Sequence, residues 1–370
     1  MTAPVQFLDL AYTYRALASE LDAATSRVLA SGWYIGGPEV EAFEQAFAEA
    51  SGARYCVGVG NGLDALTLLL RAWNLGPGDE VIVPAHTFIA TWLAVTAVGA
   101  ELIPIDPTAS GFNVSIETVE PAVTERTRVI VPVHLYGAAV DMTPLAKLAK
   151  ARSIKLLEDA AQAHLASGFG QRVGALGDAA AWSFYPGKNL GAYGDAGAVT
   201  TNDAQLADQL RALRSYGSQV KYQHDSLGVN SRLDPIQAAI LGVKLKHLAA
   251  WNSRRSEIAE RYTQAFSQLG WLKAPELDPG SVWHLYVLEV SQRDRLQRYL
   301  AERGVQTLIH YPVPPHRQKA YAQSPVARAS LPRSEALGAS VLSLPMGPHL
   351  SESDVSRVIE AVKSFPERGP

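Results

Sequence analysis

The chain has 370 residues, 47% of them hydrophobic and 19% charged, with 33 basic against 36 acidic side chains and a formal net charge of −3. That length suits one large and one smaller domain, and the near-neutral balance argues against a nucleic-acid or membrane-surface partner. A single cysteine, Cys56, excludes an intrachain disulfide. The first residues, Met1-Thr2-Ala3-Pro4-Val5-Gln6, carry no basic segment followed by an apolar one, and no apolar run nears the ~20 residues of a membrane span. A cytoplasmic protein is therefore expected.

Residues 15–30 have Leu17, Leu21, Ala24 and Val28 at helical spacing. The Gly-rich turn Ser31–Pro38 follows, and Pro38 opens a second helix with Val40, Phe43 and Phe47 on one face. From residue 55 the pattern alternates. Strands are expected at 55–59, 80–83, 101–105, 129–133, 154–157, 179–183 and 196–200, with helices at 63–73, 88–98 and 142–151. Cys56 falls in the first of these strands and reads as buried. Short apolar strands separated by helices imply a mostly parallel sheet covered on both faces. Beyond residue 235 the texture shifts. One long helix is expected from Pro235 past Trp251 towards Phe266, then strands at 283–288 and 305–308, a Pro-rich loop at 311–315 and a last helix at 352–364. This reads as a second, smaller α/β unit, with 1–250 as the large domain and 251–370 as the small one.

The chemistry centres on Lys188, in Phe184-Tyr185-Pro186-Gly187-Lys188-Asn189 with Gly191, Gly194 and Gly197 beyond it. A lone lysine is usually solvated. Here Asp159 lies upstream at the end of an apolar strand, where an open parallel sheet binds its ligands. A lysine amine able to form a Schiff base and an acid able to keep a pyridine nitrogen protonated are the parts that hold pyridoxal phosphate. The plainer reading of Asp159 is a helix N-cap; Gln162, placed to face the cofactor's phenolic oxygen, completes a set and favours the cofactor. Gly60-Asn61-Gly62-Leu63 is a strand-to-helix turn whose free amides suit a phosphate. Ser183 either adds a hydroxyl there or is an ordinary strand-end serine. Phe88 either stacks on the pyridine or belongs to the core. None of the histidines considered, His86, His134, His164 and His310, has metal-ligand spacing, and no metal is expected.

With these motifs the chain resembles the DegT/DnrJ/StrS family of sugar aminotransferases, of aspartate-aminotransferase-like fold (fold type I). The likeness runs over nearly the whole chain. It includes Ser31–Ile35 with Gly37–Val40, Glu158–Ala163, Ser183–Asn189, Gly228–Asp234 and Leu342–Met346. It implies that Lys188 is the Schiff-base lysine, that Asp159 pairs with the pyridine nitrogen and Gln162 with the ring oxygen, and that Phe88 stacks on the ring. It implies a phosphate site from Asn61, Gly62, Leu63 and Ser183, with Asn230 reaching the phosphate of the other subunit of a homodimer. Leu63 stands where the family often has threonine, leaving only its backbone to contact phosphate. Ala196 stands where a glycine is common. A dehydratase branch replaces the lysine with histidine, and Lys188 disfavours it. The segment Leu308–His316, with Gln223, His224 and Asn230, resembles members that aminate C3 of nucleotide-linked 6-deoxyhexoses. Tyr185, His310 and Tyr311 would then lie near the sugar and Lys221 near the diphosphate. The expectation is amino transfer from L-glutamate to a dTDP-linked 3-keto-6-deoxyhexose in deoxyaminosugar biosynthesis. The alternatives are a C4, UDP-sugar or aminocyclitol aminotransferase, or a non-catalytic regulatory protein of the same fold.

Overall fold

The computed structural model describes residues 3–220 and 222–367. Its strands are β1 Tyr55–Val59, β2 Glu80–Pro84, β3 Glu101–Ile105, β4 Thr127–Ile130, β5 Lys155–Asp159, β6 Ser167–Gly168, β7 Gln171–Arg172, β8 Ala179–Ser183, β9 Gly197–Thr201, β10 Leu272–Lys273, β11 Tyr286–Val290 and β12 Val341–Leu344. Seven form the main sheet in the order β1-β9-β8-β5-β4-β2-β3. Only β9 is reversed, antiparallel to both β1 and β8; the pairs from β8 to β3 are parallel. The mostly parallel α/β sheet read from the sequence is present.

Both faces are covered, as buried parallel strands require. On one, the helix Gly62–Ala72 lays Leu66, Leu69 and Leu70 against Val57, Val83, Leu157 and Val199. Each fully buried leucine contributes about 1.5–3 kcal/mol. On the other, Phe43 and Phe47 of the helix Pro38–Ser51 meet Trp182 and Phe184. Phe47 stands edge-on to both rings at 5.1 Å, a favourable aromatic geometry. Cys56 is buried in β1.

A smaller antiparallel sheet, β10-β11-β12, packs on the helices Leu248–Phe266, Arg293–Glu302 and Glu352–Lys363 through Tyr262, Tyr286, Leu296, Leu300 and Val358. Two expectations here are corrected. The long helix from Pro235 is two, Pro235–Leu245 and Leu248–Phe266. The first ends in a tightened turn, with Lys246 N donating to Val243 O at 3.3 Å and His247 N to Lys244 O at 3.0 Å, the i−3 pattern common where a helix closes. The strand expected at 305–308 is reduced to two isolated bridges. Val305 pairs with Val5 near the N-terminus, whereas Leu308 pairs with Ser343. The run changes partner halfway, so no ladder extends along it. The helix Ala204–Leu213, capped by Asp203, is an element the pattern reading did not anticipate.

Candidate active site

Asp159 is the last residue of β5, so its carboxylate emerges at the carboxyl end of the sheet. No helix follows before β6, which removes the N-cap reading. The side chain is buried, accepting from Thr91 Oγ1 at 2.8 Å and from Ala161 N at 3.2 Å. Burial raises its pKa, against the lowering effect of these bonds and of the nearby Lys188 charge. Lys188 answers in kind. Burial lowers its amine to about 8, and Asp159 is the charge that opposes the fall. The turn holds the lysine by its backbone, Lys188 N donating to Tyr185 O at 2.8 Å.

The neighbouring residue Glu158 faces the other way, as strand alternation dictates, and anchors the strand end. Its buried carboxylate accepts from Gly174 N at 3.0 Å, Leu176 N at 2.8 Å, Gly177 N at 2.9 Å and His134 Nε2 at 3.0 Å. Burial alone would raise Glu158; His134 and the amides hold it below the usual glutamate value. Val140 N donates to His134 Nδ1 at 3.0 Å, which leaves the ring proton on Nε2 to serve Glu158.

Gln162 is tied at both ends. Tyr136 N donates to its Oε1 at 2.7 Å, and its Nε2 donates to Tyr311 Oη at 3.0 Å. Tyr136, in the left-handed region at φ 60°, is a hub that sequence reasoning missed. Its hydroxyl donates to the carbonyl of His310 and lies 2.7 Å from His86 Nε2. The His310 ring is held by Ser343 through Nδ1 at 2.8 Å. Burial, with Lys188 adding to it, lowers His310 to about 4, so its ring is neutral near pH 7. Phe88 is 53% exposed, so it is no core residue, and its ring lies 5.6 Å from that of Tyr311.

The glycine turn forms a second wall. Asn61 caps the helix that starts at Gly62, accepting from Asp64 N at 2.8 Å. The amides of Gly62 and Leu63 belong to the first turn, which has no intrahelical acceptor for them. A Cβ on Gly62 would stand 2.7 Å from Ser183 Cβ, so only glycine brings this turn onto the end of β8. A Cβ on Gly197 would stand 2.4 Å from the Asn61 carbonyl carbon, so β9 closes on the same turn. Ser231 joins it from another loop, accepting from Gly60 N at 2.9 Å and donating to Asp64 at 2.6 Å. Asn230, beside it, is exposed, as is Tyr185 at 58%. Lys221 lies outside the described residues.

Thus Asp159, Lys188, Gln162 and Tyr311 share one interaction network, with His310 and Phe88 adjoining it. Asn61, Gly62, Leu63 and Ser183 form a donor cup. These features fit pyridoxal phosphate. A buried carboxylate at a strand end suits a pyridinium N–H, an amine near neutral pKa suits an aldehyde, and the cup suits a phosphate.

The family profile described as DegT/DnrJ/EryC1/StrS aminotransferase matches residues 16–363. The chain is 50% identical over 371 aligned residues to the dTDP-3-amino-3,4,6-trideoxy-alpha-D-glucose transaminase of Streptomyces venezuelae, covering 99% of this chain and 97% of the relative. It is also 50% identical to the dTDP-3-amino-3,6-dideoxy-alpha-D-galactopyranose transaminase of Aneurinibacillus thermoaerophilus, covering 98% and 99%. Among solved structures, S. venezuelae DesV in complex with a ketimine intermediate superposes with a TM-score of 0.97 at 49% identity, covering 100% of both chains.

Proposed function

We propose, from the premise that this chain belongs to the DegT/DnrJ/EryC1/StrS aminotransferase family, that it transfers an amino group to the C3 keto group of a dTDP-linked 6-deoxyhexose. Aminotransferase activity and dependence on pyridoxal phosphate come with the family. When bound, the cofactor supplies an aldehyde that carries the amino group and a ring that accepts electrons. The residues supply the rest. Asp159 holds the pyridine N–H. Lys188, with an amine near 8, alternates between proton acceptor and donor close to working pH. Gln162 meets the ring oxygen, Phe88 covers the ring, and Asn61, Gly62, Leu63 and Ser183 bind the phosphate.

The observation that carries the reading is buried Asp159 with the half-buried Lys188 close enough to feel its charge, framed by Gln162 and Tyr311. The C3 assignment is supported by the two relatives named for 3-amino dTDP-sugars. On this reading Tyr185, His310 and Tyr311 meet sugar hydroxyls, and neutral His310 does so without demanding a charged substrate. Lys221 meets the diphosphate, L-glutamate is the donor, and the protein is a cytoplasmic homodimer in which Asn230 completes the partner's phosphate site. The large unit is taken as 1–250 and the small one as 251–370. No helix among the described residues is long and apolar enough to cross a membrane.

The test is to incubate protein, cofactor and glutamate with 3-keto and 4-keto dTDP sugars and follow amino-sugar formation by mass. A site whose polar groups pair specific hydroxyls rejects an isomer that leaves them unpaired. Exclusive conversion of the 4-keto sugar moves the reading to C4. No conversion of any keto sugar, and no half-reaction with glutamate, favours the regulatory alternative.

A further inference from the structure

Beside the turn that carries Lys188 lies a cavity of about 40 Å³, its wall including Asp9, Lys188, Asn189, Lys244, Arg255 and His349. Two of these side chains are buried cations with no acidic partner among the described residues. Arg255 is 4% exposed, and its Nη1 donates to the carbonyls of Trp283, His284 and Met346 at 3.1, 3.3 and 3.2 Å. Its Nε has no hydrogen-bond partner. Lys244 is 3% exposed; its Nζ donates to Gly191 O at 2.7 Å and sits 3.7 Å over the Tyr193 ring. The one carboxylate in the wall is engaged elsewhere. Asp9 pairs with Arg15 and accepts from Ala11 N at 3.1 Å. His349 donates towards Gln6 O at 3.3 Å.

Carbonyl oxygens satisfy hydrogens but do not neutralise two charges. Burial lowers Lys244 to about 8 and Arg255 to about 10, and no anion opposes either fall. Buried charges are otherwise paired, because leaving one uncompensated is expensive. The cavity exceeds the ~10–15 Å³ that one water requires, and it approaches the size of a carboxylate group. We propose that this cavity is a binding site for a small monovalent oxyanion, a carboxylate above all, held between Lys244 and the free Nε–H of Arg255. The anion would come either from solution or from a carboxylate of the amino donor.

The test uses thermal unfolding of the holoenzyme at constant ionic strength, with formate replacing gluconate. Binding to the folded state alone raises the midpoint as the logarithm of one plus ligand concentration over Kd. Formate should raise the midpoint with that dependence, and Lys244→Met, which keeps the apolar stem, should raise the apparent Kd at least tenfold. Arg255→Met also removes bonds to three carbonyls, so the weight rests on Lys244→Met. Carbon-labelled formate gives a check that needs no variant, since its relaxation should reveal a saturable bound fraction in the native enzyme. Glutarate is the second probe. Competition with formate assigns the site to a donor-type carboxylate, and no competition assigns it to a free anion. A midpoint no higher in formate than in gluconate, an unchanged Kd in Lys244→Met, or no bound formate by relaxation overturns the proposal.

Discussion

Gly62→Ala is the sharpest probe of the proposed phosphate cup. The added Cβ would stand 2.7 Å from Ser183 Cβ and 3.2 Å from its Cα, whereas carbons rest at ~3.5–4.0 Å. The turn must therefore retreat by about 0.8 Å from the first contact alone, given that spacing. An amide moved that far from a phosphate oxygen goes from ~2.9 Å to ~3.7 Å, beyond hydrogen-bonding range. Loss of one charge-assisted bond costs ~1.5–3 kcal/mol, or ~10- to 150-fold in affinity. The assay is titration of the apoenzyme with pyridoxal phosphate, followed by visible absorbance. A double-mutant cycle then isolates the cause. Ser183→Gly removes the atom at 2.7 Å and leaves the Cα at 3.2 Å, so Gly62→Ala combined with Ser183→Gly should regain most of the loss relative to Ser183→Gly alone. Ser183→Ala keeps the offending Cβ and should regain none. Wild-type affinity in Gly62→Ala, or equal rescue by both serine variants, would refute the reasoning.

Four further outcomes are expected. Borohydride should fix the cofactor to Lys188, as peptide mapping will reveal; a label on another lysine removes Lys188 from its role. Asp159→Asn should retain some cofactor yet lose roughly 10- to 150-fold in rate, because it loses a charge-assisted bond worth ~1.5–3 kcal/mol; near-normal turnover counts against it. Subunits carrying Lys188→Ala, mixed with subunits carrying Asn230→Ala, should regain activity in heterodimers if each substitution alone inactivates; no regain under verified exchange argues against a shared site. His86, His164, His284 and His310 are held neutral by burial, with pKa values lowered to about 4, about 3, well below 6.5 and about 4. The unfolded chain binds those protons first, so this stability is present above about pH 6.5 and is lost as pH falls towards 4, by up to about 1.4 kcal/mol per histidine per pH unit; urea midpoints that stay flat between about pH 7 and 5 contradict it.

The sheet was legible because its strands are short apolar runs with turn residues between them, and the gathering of Asp159, Gln162 and Lys188 was legible because Asp159 ends one of those runs and the other two lie in the turns that follow β5 and β8. What escaped has no local signature. The break after Leu245 falls at Lys246-His247, with neither glycine nor proline to mark it. The 305–308 run looked like a strand because the residues that divide it, Val5 and Ser343, are remote in sequence. Tyr136 connects to His310 across 174 positions, and a tyrosine in the left-handed region carries no motif. At Phe88 the residue type fitted core and cleft equally; only three-dimensional exposure separates them.

The closure of the cleft from distant parts of the chain also sets a timetable for synthesis. Lys188, Asp159 and Gln162 are translated long before His310, Tyr311 and Ser343, the residues that brace Gln162 and its surroundings. At ~5–20 residues per second, the stretch from Lys188 to Tyr311 takes roughly 6–25 s to emerge. Throughout that interval the nascent chain has Lys188 and Asp159 but lacks His310, Tyr311 and the strand β12. On the proposed function, stable cofactor capture is therefore a late event in synthesis, and a chain stalled before residue 311 would present Lys188 without the residues that brace Gln162.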